Sequence, residues 1–181
     1  MYRGRFAPSP TGPLHFGSLI AAVASYLEAR TRKGEWLLRM EDLDKPREAS
    51  GAADAILKAL VAFGFEWDGN VVYQSQRFEA YAAALKNLQQ QALVYPCVCS
   101  RKEIADSAIH GIDGLVYPGT CRNSLKISKQ SRAWRIKVED RTIAFDDAIQ
   151  GAISQNLSRD IGDFVLKRAD GLYAYQLAVV V

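Results

Sequence analysis

The sequence predicts an α/β fold that begins with two parallel strands joined by a helix. Residues 3–7 have the composition of a short strand, and apolar side chains then recur at helical spacing over residues 17–32. Gly34 ends this helix, and the mostly apolar run at residues 35–40 is typical of a buried strand. A strand, a helix and a strand in this order imply a parallel pair with a right-handed crossover.

The loop between the first strand and the helix is rich in proline and glycine and ends at His15. It places backbone amides and an imidazole at a helix N-terminus, where unpaired N–H groups and the helix dipole favour an anion such as phosphate. This arrangement predicts a nucleotide site. The alternative is an ordinary loop with His15 as a surface or capping residue, because the glycine patterns of phosphate loops and dinucleotide folds are absent.

Acidic side chains follow the second strand directly, at Glu41, Asp42 and Asp44. Ligands of open α/β sheets bind at the carboxyl ends of the strands, so these side chains are candidates for the same crevice as His15. The alternative is a charged, solvated loop.

Helical periodicity continues beyond this loop. It predicts helices over residues 51–63 and 77–91, with a short strand at residues 71–73 between them. We expect the polar segment Gln74–Gln76 to cap the second of these helices rather than to join the site.

Three cysteines, Cys97, Cys99 and Cys121, lie in a segment without sustained periodicity. Such a segment buries little apolar surface by itself, and thiolates are ligands that Zn²⁺ prefers. The cysteines therefore predict a zinc site, with His110 and Tyr117 as the open alternatives for the fourth ligand. The competing interpretation is a cluster of three reduced cysteines.

The last part of the chain is expected to be rich in strands. Apolar and polar residues alternate around Trp134 and Ile136 as in a half-buried strand. A hairpin is indicated by Asp170-Gly171 followed by the apolar run at residues 172–181. Because that run lacks a polar finish, we expect a fragment of a longer protein. Short strands are predicted at residues 133–138, 142–145 and 163–167.

The composition is that of a globular protein without a membrane partner. The chain has 181 residues, 49% of them hydrophobic, which suffices for one large domain or a domain with a small insert. No apolar run is long enough to span a bilayer or to form a signal peptide, so we expect a cytoplasmic protein, and a monomer. The net charge of +3 permits a polyanionic partner. Hydrolase motifs such as Gly-x-Ser-x-Gly and His-Glu-x-x-His are absent.

Together these motifs resemble those of the class I glutamyl-specific aminoacyl-tRNA synthetases. The resemblance implies a Rossmann-type class I synthetase catalytic domain, present as its first half, with an inserted zinc-containing tRNA-contacting module. The implied divisions are a catalytic first half at residues 1–95, a zinc and tRNA-stem module at 96–162, and a truncated hairpin returning to the catalytic sheet at 163–181. The matching segments follow the family's order: residues 5–12, 14–17, 39–44, 73–77, 95–99, 163–166 and 170–175.

Three features resemble the short, queuosine-directed branch of this family: residues 15–20, the brief cysteine insert and residues 173–180. Members of that branch activate glutamate with ATP in the absence of tRNA and transfer it to the queuosine base of tRNA(Asp). The resemblance thus implies glutamate, ATP with magnesium, queuosine-bearing tRNA(Asp) and a structural zinc ion. The alternatives are a fragment of a full glutamyl-tRNA synthetase that charges the tRNA 3′ end, and a non-catalytic zinc-stabilised RNA-binding module.

The resemblance also implies roles for individual residues. The expected glutamate contacts are Arg5, Phe6, Ala7, Pro8, Ser9, Glu41 and Tyr175. The expected ATP contacts are Pro8, His15, Gly17 and Ser18, with His15 and Gly17 as the catalytic positions. Family precedent names Cys97, Cys99, Tyr117 and Cys121 as the zinc ligands.

One departure concerns the family's second signature, a Lys-x-Ser-Lys loop that contacts ATP. The segment Lys126–Lys129 has this wording but lies just after the cysteines, which is the wrong place in the fold. We therefore expect it to be a basic surface loop. If the true loop is missing, the chain would bind glutamate or ATP only weakly.

Overall fold

The computed structural model describes residues 1–107, 109–111, 114–123 and 133–181, with the backbone alone at 109–111. These residues form two compact units, Met1–Phe78 and Glu79–Val181. The Lys126–Lys129 segment lies outside the described residues. None of the described helices is long and apolar enough to cross a membrane.

The first unit contains a three-stranded parallel sheet. Its elements are β1 (Arg3–Phe6), α1 (Phe16–Thr31), β2 (Glu35–Met40), α2 (Ala52–Ala62) and β3 (Val72–Tyr73), with 3₁₀ turns at Lys45–Arg47 and Gln74–Gln76. The strand order is β1-β2-β3, and β1 pairs with β2 in parallel from Arg3 opposite Glu35 to Phe6 opposite Leu38. The parallel strand–helix–strand beginning predicted from the sequence is confirmed.

Helix α1 approaches β1 closely because small residues face each other there. A Cβ atom at Gly4 would lie 3.0 Å from the carbonyl oxygen of Ser25 and 3.1 Å from the Cβ of Ala29. Ala22 and Ala29 are the buried residues of the helix. The larger side chains of its apolar pattern are exposed in this unit: Ile20, Val23 and Leu27.

The core of the first unit is centred on Trp36 of β2, which is fully buried. Its ring stacks on Phe65 at a centroid distance of 5.4 Å and meets the edge of Tyr26 at 5.1 Å. Its indole N–H donates to the Ser25 hydroxyl at 2.9 Å, so the ring is satisfied at its polar end as well. This packing fixes β2, and with it the polar segment that follows Met40.

The second unit contains one antiparallel sheet and two hairpins. Its strands are β4 (Val94–Cys97), β5 (Ile109–Gly111), β6 (Gly114–Val116), β7 (Ala133–Ile136), β8 (Thr142–Asp147), β9 (Gly151–Asn156) and β10 (Val165–Lys167). Its helices are α3 (Phe78–Gln90), α4 (Arg101–Ser107), α5 (Leu157–Asp160) and α6 (Tyr175–Ala178). The sheet order is β10-β7-β4, and the hairpins are β5–β6 and β8–β9. The divisions expected at residues 95/96 and 162/163 stay predictions.

The strand predicted over residues 133–138 is confirmed as β7, but its predicted inward face is wrong. Arg135 is buried, whereas Trp134 and Ile136 are only half-buried. Arg135 turns inward because its Nη1 donates to the carbonyl oxygen of Asp163 at 2.7 Å and its guanidinium carbon lies 3.9 Å from the ring centre of Tyr117. A specific polar partner and an aromatic face here outweigh the simple alternation rule.

The strand predicted over residues 172–181 is wrong beyond Tyr173. Lys167 and Tyr173 form a single antiparallel bridge, and the chain then makes the helical turn α6. The buried residues of this segment are Tyr173, Leu177 and Ala178. Spacings of four and five residues suit a helical turn, whereas a half-buried strand would bury every second residue.

Candidate active site and candidate metal centre

A polar cavity of about 230 Å³ lies where the proline-rich loop meets the end of β2. Two backbone hydrogen bonds hold the loop there: the N–H of Glu41 donates to the carbonyl of Pro8, and that of Ala49 to the carbonyl of Pro10, both at 3.0 Å. The lining residues are Ser9, Pro10, Thr11, Glu41, Asp42, Asp44, Arg47 and Glu48. The three acidic residues predicted to share a crevice therefore do so, with the loop's Ser9 and Thr11 rather than with His15.

Glu41 follows β2 directly and is held in place by Arg39 of that strand. Its Oε1 accepts a hydrogen bond from Nη2 of Arg39 at 2.7 Å, and both side chains are largely buried. A buried carboxylate is costly unless it is paired, so the hydrogen bond from Arg39 stabilises Glu41 and holds its side chain at the cavity.

Asp42 has a different role from that of its neighbour. It is buried, and its carboxylate accepts hydrogen bonds from both the backbone N–H and the hydroxyl of Ser75. The Gln74–Gln76 turn thus holds the acidic segment in place, and Ser75 supports the cavity, whereas its sequence context predicts only helix capping. Because Ser75 and Asp42 are 33 residues apart in the sequence, no local sequence pattern predicts their contact.

His15 is the N-cap of α1. Its Nδ1 accepts from the backbone N–H of Ser18 at 3.2 Å, and its Nε2 lies 3.1 Å from the Ser18 hydroxyl. A Cβ at Gly17 would lie only 3.2 Å from the imidazole, so a residue without a side chain leaves room for this ring position. His15 therefore caps the helix, as the alternative interpretation predicted. This contact holds its exposed ring beside the helix N-terminus.

The other predicted residues of the first unit are spread along β1 and the loop. Arg5 and Ser9 are exposed, Ala7 is half-buried, and Pro8 is buried. Phe6 packs in the core beside Trp36, so only its backbone faces away from the apolar cluster. Tyr175 belongs to the second unit, where it begins α6 and is 59% exposed.

Three cysteine sulfurs and one tyrosine hydroxyl converge in the second unit. The sulfur atoms of Cys97, Cys99 and Cys121 all lie within 4.8 Å of one another. The Tyr117 hydroxyl lies 3.5 Å from the sulfur of Cys97 and 3.4 Å from that of Cys99, and it accepts from the backbone N–H of Cys121 at 2.9 Å. Tetrahedral zinc with bonds of about 2.3 Å separates its sulfur ligands by a little under 4 Å, so this donor set fits zinc. The side chain of His110 lies outside the described residues.

Burial and hydrogen bonds shift the pKa values of these groups in opposite directions. Burial raises the pKa of the Cys99 thiol to about 11 and also raises the pKa of Tyr117. For Cys121, burial alone would raise the pKa. Hydrogen bonds with the Tyr117 hydroxyl and the Val98 backbone outweigh that effect, so the net shift of the pKa is downward. A divalent cation would reverse the effect of burial, because it favours the deprotonated ligands.

Gly162 pairs with the backbone of Tyr117, the candidate fourth zinc ligand. It adopts a positive φ of 71° and forms a parallel bridge with Tyr117. A Cβ there would lie 2.7 Å from Cγ1 of Val116 and 3.2 Å from the carbonyl oxygen of Tyr117. Only glycine permits this approach, and no motif in the sequence marks Gly162 as important.

Comparisons with known proteins agree with the motifs. The family model described as tRNA synthetases class I (E and Q), catalytic domain, matches residues 1–181. The chain is 68% identical over 182 residues to the glutamyl-Q tRNA(Asp) synthetase of Dechloromonas aromatica, with 99% of this chain covered. It is 63% identical over 181 residues to that of Chromobacterium violaceum, with 100% covered. The chain spans 60% and 61% of the length of these two relatives.

A solved structure shares the fold. It is the crystal structure of a glutamate tRNA ligase from Elizabethkingia meningosepticum in complex with its amino acid, with a TM-score of 0.81 and 27% sequence identity. The match covers 98% of this chain and 40% of that one. The family resemblance drawn from the motifs is confirmed: the chain belongs to the class I tRNA synthetases for E and Q, and it has the fold of their catalytic domain.

Proposed function

We propose that this chain carries the glutamate- and ATP-binding site of a ligase that activates glutamate without tRNA and transfers it to the queuosine base of tRNA(Asp). The observation that supports this most directly is the polar cavity in which Ser9 and Glu41 lie together, in a chain 68% identical to a glutamyl-Q tRNA(Asp) synthetase. Because the chain spans 60% of that relative, the complete activity is part of the proposal.

In the proposed activation step, a carboxylate oxygen of glutamate attacks the α-phosphorus of ATP. A new P–O bond forms, the bond to pyrophosphate breaks, and glutamyl adenylate results. No side chain has to become a nucleophile, so the protein's contribution is positioning and neutralisation of phosphate charge. His15 and Ser18 are proposed to bind the ATP phosphates with the free amides of α1, while Pro8 and Gly17 allow close approach and Mg²⁺ accompanies ATP.

The amino acid is proposed to bind through groups of opposite charge. Arg5 suits a substrate carboxylate because its guanidinium donates two parallel hydrogen bonds. Glu41 uses Oε1 for Arg39, which leaves Oε2 for the α-ammonium group. The hydroxyls of Ser9 and Tyr175 are proposed to add hydrogen bonds, while Phe6 and Ala7 contribute backbone.

We also propose that Cys97, Cys99, Tyr117 and Cys121 hold a structural zinc ion. Their four donor atoms close a tetrahedral site with no position left for a catalytic water. Elemental analysis of protein purified without chelator should find one zinc per chain. Tyr117→Phe should reduce zinc affinity while His110→Gln should not, and the reverse result would make His110 the fourth ligand.

The proposed division of the chain follows the family: catalytic residues 1–95, a zinc and tRNA-stem module at 96–162, and a return to the catalytic sheet at 163–181. Action on tRNA is consistent with a cytoplasmic location. Size-exclusion chromatography with light scattering should give the mass of a monomer.

Pyrophosphate exchange distinguishes the possible activities. Glutamate-dependent ATP–pyrophosphate exchange without tRNA supports the queuosine-directed enzyme, and transfer of labelled glutamate to queuosine-bearing tRNA(Asp) completes the assignment. Exchange that requires tRNA, with charging of the tRNA 3′ end, would instead make this the catalytic part of a glutamyl-tRNA synthetase. Absence of exchange even in a chain extended to the full length of its relatives would favour a zinc-stabilised RNA-binding module.

Glu41→Gln tests the ammonium contact. Loss of a charge-assisted hydrogen bond of about 1.5–3 kcal/mol should lower kcat/KM for glutamate by roughly 10–100-fold. The matched control is Glu35→Gln at the start of β2, where Glu35 pairs with Arg3 at 2.8 Å in an exposed ion pair. It should leave the exchange rate unchanged, and equal losses in the two variants would contradict the role of Glu41.

A further inference from the structure

Arg135 is a buried cation without a carboxylate partner among the residues that the structure describes. It lies on β7 with 8% of its surface exposed. Its Nη1 donates to the backbone carbonyl of Asp163, and its Nε has no hydrogen-bond partner. The nearby carboxylate of Asp163 is shared by other donors: Tyr95, Arg122 and the backbone N–H of Val138.

A buried charge in this position costs free energy unless an opposite charge compensates it. The guanidinium lies over the ring of Tyr117, with 3.9 Å between the ring centre and the guanidinium carbon. A cation over a tyrosine face gains roughly 0.5–2 kcal/mol, which is less than the several kcal/mol that desolvation of an ion costs. The contacts described so far therefore leave the charge of Arg135 under-compensated.

The candidate metal centre supplies the missing charge. Three thiolates around a divalent ion leave a net charge of −1 before the tyrosine is counted. The Tyr117 hydroxyl lies within 3.5 Å of two of those sulfurs, and the Arg135 guanidinium lies over the ring of the same side chain. Arg135, Tyr117 and Cys97 are buried, and opposite charges attract each other more strongly in such surroundings than in bulk water.

We propose that Arg135 is the counter-cation of the loaded metal centre: its charge stabilises the metal–thiolate complex, and its stacking on Tyr117 orients the fourth ligand. Arg135 is a positioning residue and not a ligand. Residues that orient metal ligands commonly change metal affinity by about 10–100-fold when they are replaced. The inference rests on the proposed zinc centre and is independent of the proposed reaction with glutamate.

Competition with a chromophoric chelator measures the zinc affinity of the full chain and its variants. Arg135→Met, which keeps the length and removes the charge, should bind zinc about 10–100-fold more weakly than the unmodified chain. Arg135→Lys keeps the charge and should restore most of that loss. The matched control is Lys102→Met, which removes an exposed cation on α4 three residues after Cys99 and should change zinc affinity less than twofold.

Cobalt provides a readout that a merely structural role would not change. In the Co²⁺-loaded Arg135→Met variant, the d–d bands of the tetrahedral site should shift, because Tyr117 is no longer held in its orientation. Arg135→Gln, with a planar neutral end, serves as the second neutral variant if Arg135→Met does not fold.

Three results would overturn the proposal: a folded neutral variant that binds zinc within twofold of the unmodified chain, an Arg135→Lys variant as weak as Arg135→Met, or a control variant as weak as either. An unmodified chain that binds no zinc would overturn both this inference and the zinc centre. The glutamate-dependent exchange activity is measured in a separate assay, and its result does not depend on any of these outcomes.

Discussion

Single buried carboxylates connect distant parts of each unit, and Asp163 is the clearest case. Only 3% of its surface is exposed. Its Oδ2 accepts from the Tyr95 hydroxyl at 2.7 Å, while its Oδ1 accepts from Arg122 at 2.9 Å and from the backbone N–H of Val138 at 2.7 Å. Because Arg122 follows Cys121 directly, this one side chain ties the cysteine segment to the sheet.

Replacing Asp163 by Asn should destabilise the second unit. All three partners donate, so the amide group of asparagine must oppose at least one donor in a buried place, which costs about 1–3 kcal/mol. The matched control is Asp170→Asn, which removes an exposed ion pair with Arg168 and should cost under about 1 kcal/mol. Urea unfolding followed at Trp134 measures both, and equal shifts of the midpoint would contradict the role given to Asp163.

Asp68 should make the stability of the first unit depend on acid. Its pKa lies below the ordinary value of 3.8, because its carboxylate accepts from the backbone N–H of Trp36 and from Arg30. A lowered folded-state pKa contributes stability that is present above the unfolded pKa and is lost as pH falls through the folded one. Asp68→Asn should therefore be less stable than the unmodified chain at pH 7, and the gap should shrink below about pH 4. A gap that stays constant from pH 7 to pH 2.5 would exclude this linkage.

At the scale of elements, two helices end without the glycine that such ends favour. Lys33 follows α1 at a φ of 52°, and Ala92 follows α3 at a φ of 55°. At Ala92 the backbone still pairs, since Leu93 donates to the carbonyl of Leu88 at 3.0 Å. The left-handed conformation at Ala92 therefore closes α3 while a side chain occupies a place that suits glycine.

One substitution should have opposite effects at two places near the same helix. Ala92→Gly should stabilise the second unit by roughly 0.5–1 kcal/mol, because glycine adopts a positive φ without steric cost. Ala83→Gly, at an exposed position within α3, should destabilise it by about 1 kcal/mol, because glycine lowers helix propensity. Thermal unfolding of the two variants gives the signs, and a loss of stability at both positions would refute the argument for Ala92.

The elements that the sequence predicts well are those held by local pattern. β1, α1 and β2 follow from one strand run, one helical period and one apolar run, and the cysteine cluster follows from ligand chemistry. Predictions failed where distant contacts decide the conformation. Arg135 turns inward to contact Asp163 and Tyr117. The segment after Tyr173 forms a helical turn that buries Leu177 and Ala178, although its β-branched residues favour a strand.

At the scale of the whole molecule, the candidate metal ligands all lie in one of the two units. The first has an apolar cluster around Trp36 that includes Phe6, Leu38 and Ile56. The second has a smaller described cluster of Tyr95, Cys97 and Tyr117 around the candidate metal ligands. Because all the candidate ligands belong to the second unit, a bound metal should stabilise chiefly that unit.

Removal of zinc should therefore loosen one unit and spare the other. After treatment with a chelator, amide hydrogen exchange should accelerate in residues 94–107 and 114–123, where the ligands lie, and in the paired strand β7. Exchange in β1 and β2 should stay unchanged, because their hydrogen bonds and core involve no metal ligand. Adding zinc back should restore protection, and a Cys121→Ser variant, already deprived of one ligand, should respond much less to the chelator. Equal acceleration in both units would show that the metal stabilises the molecule as one cooperative whole.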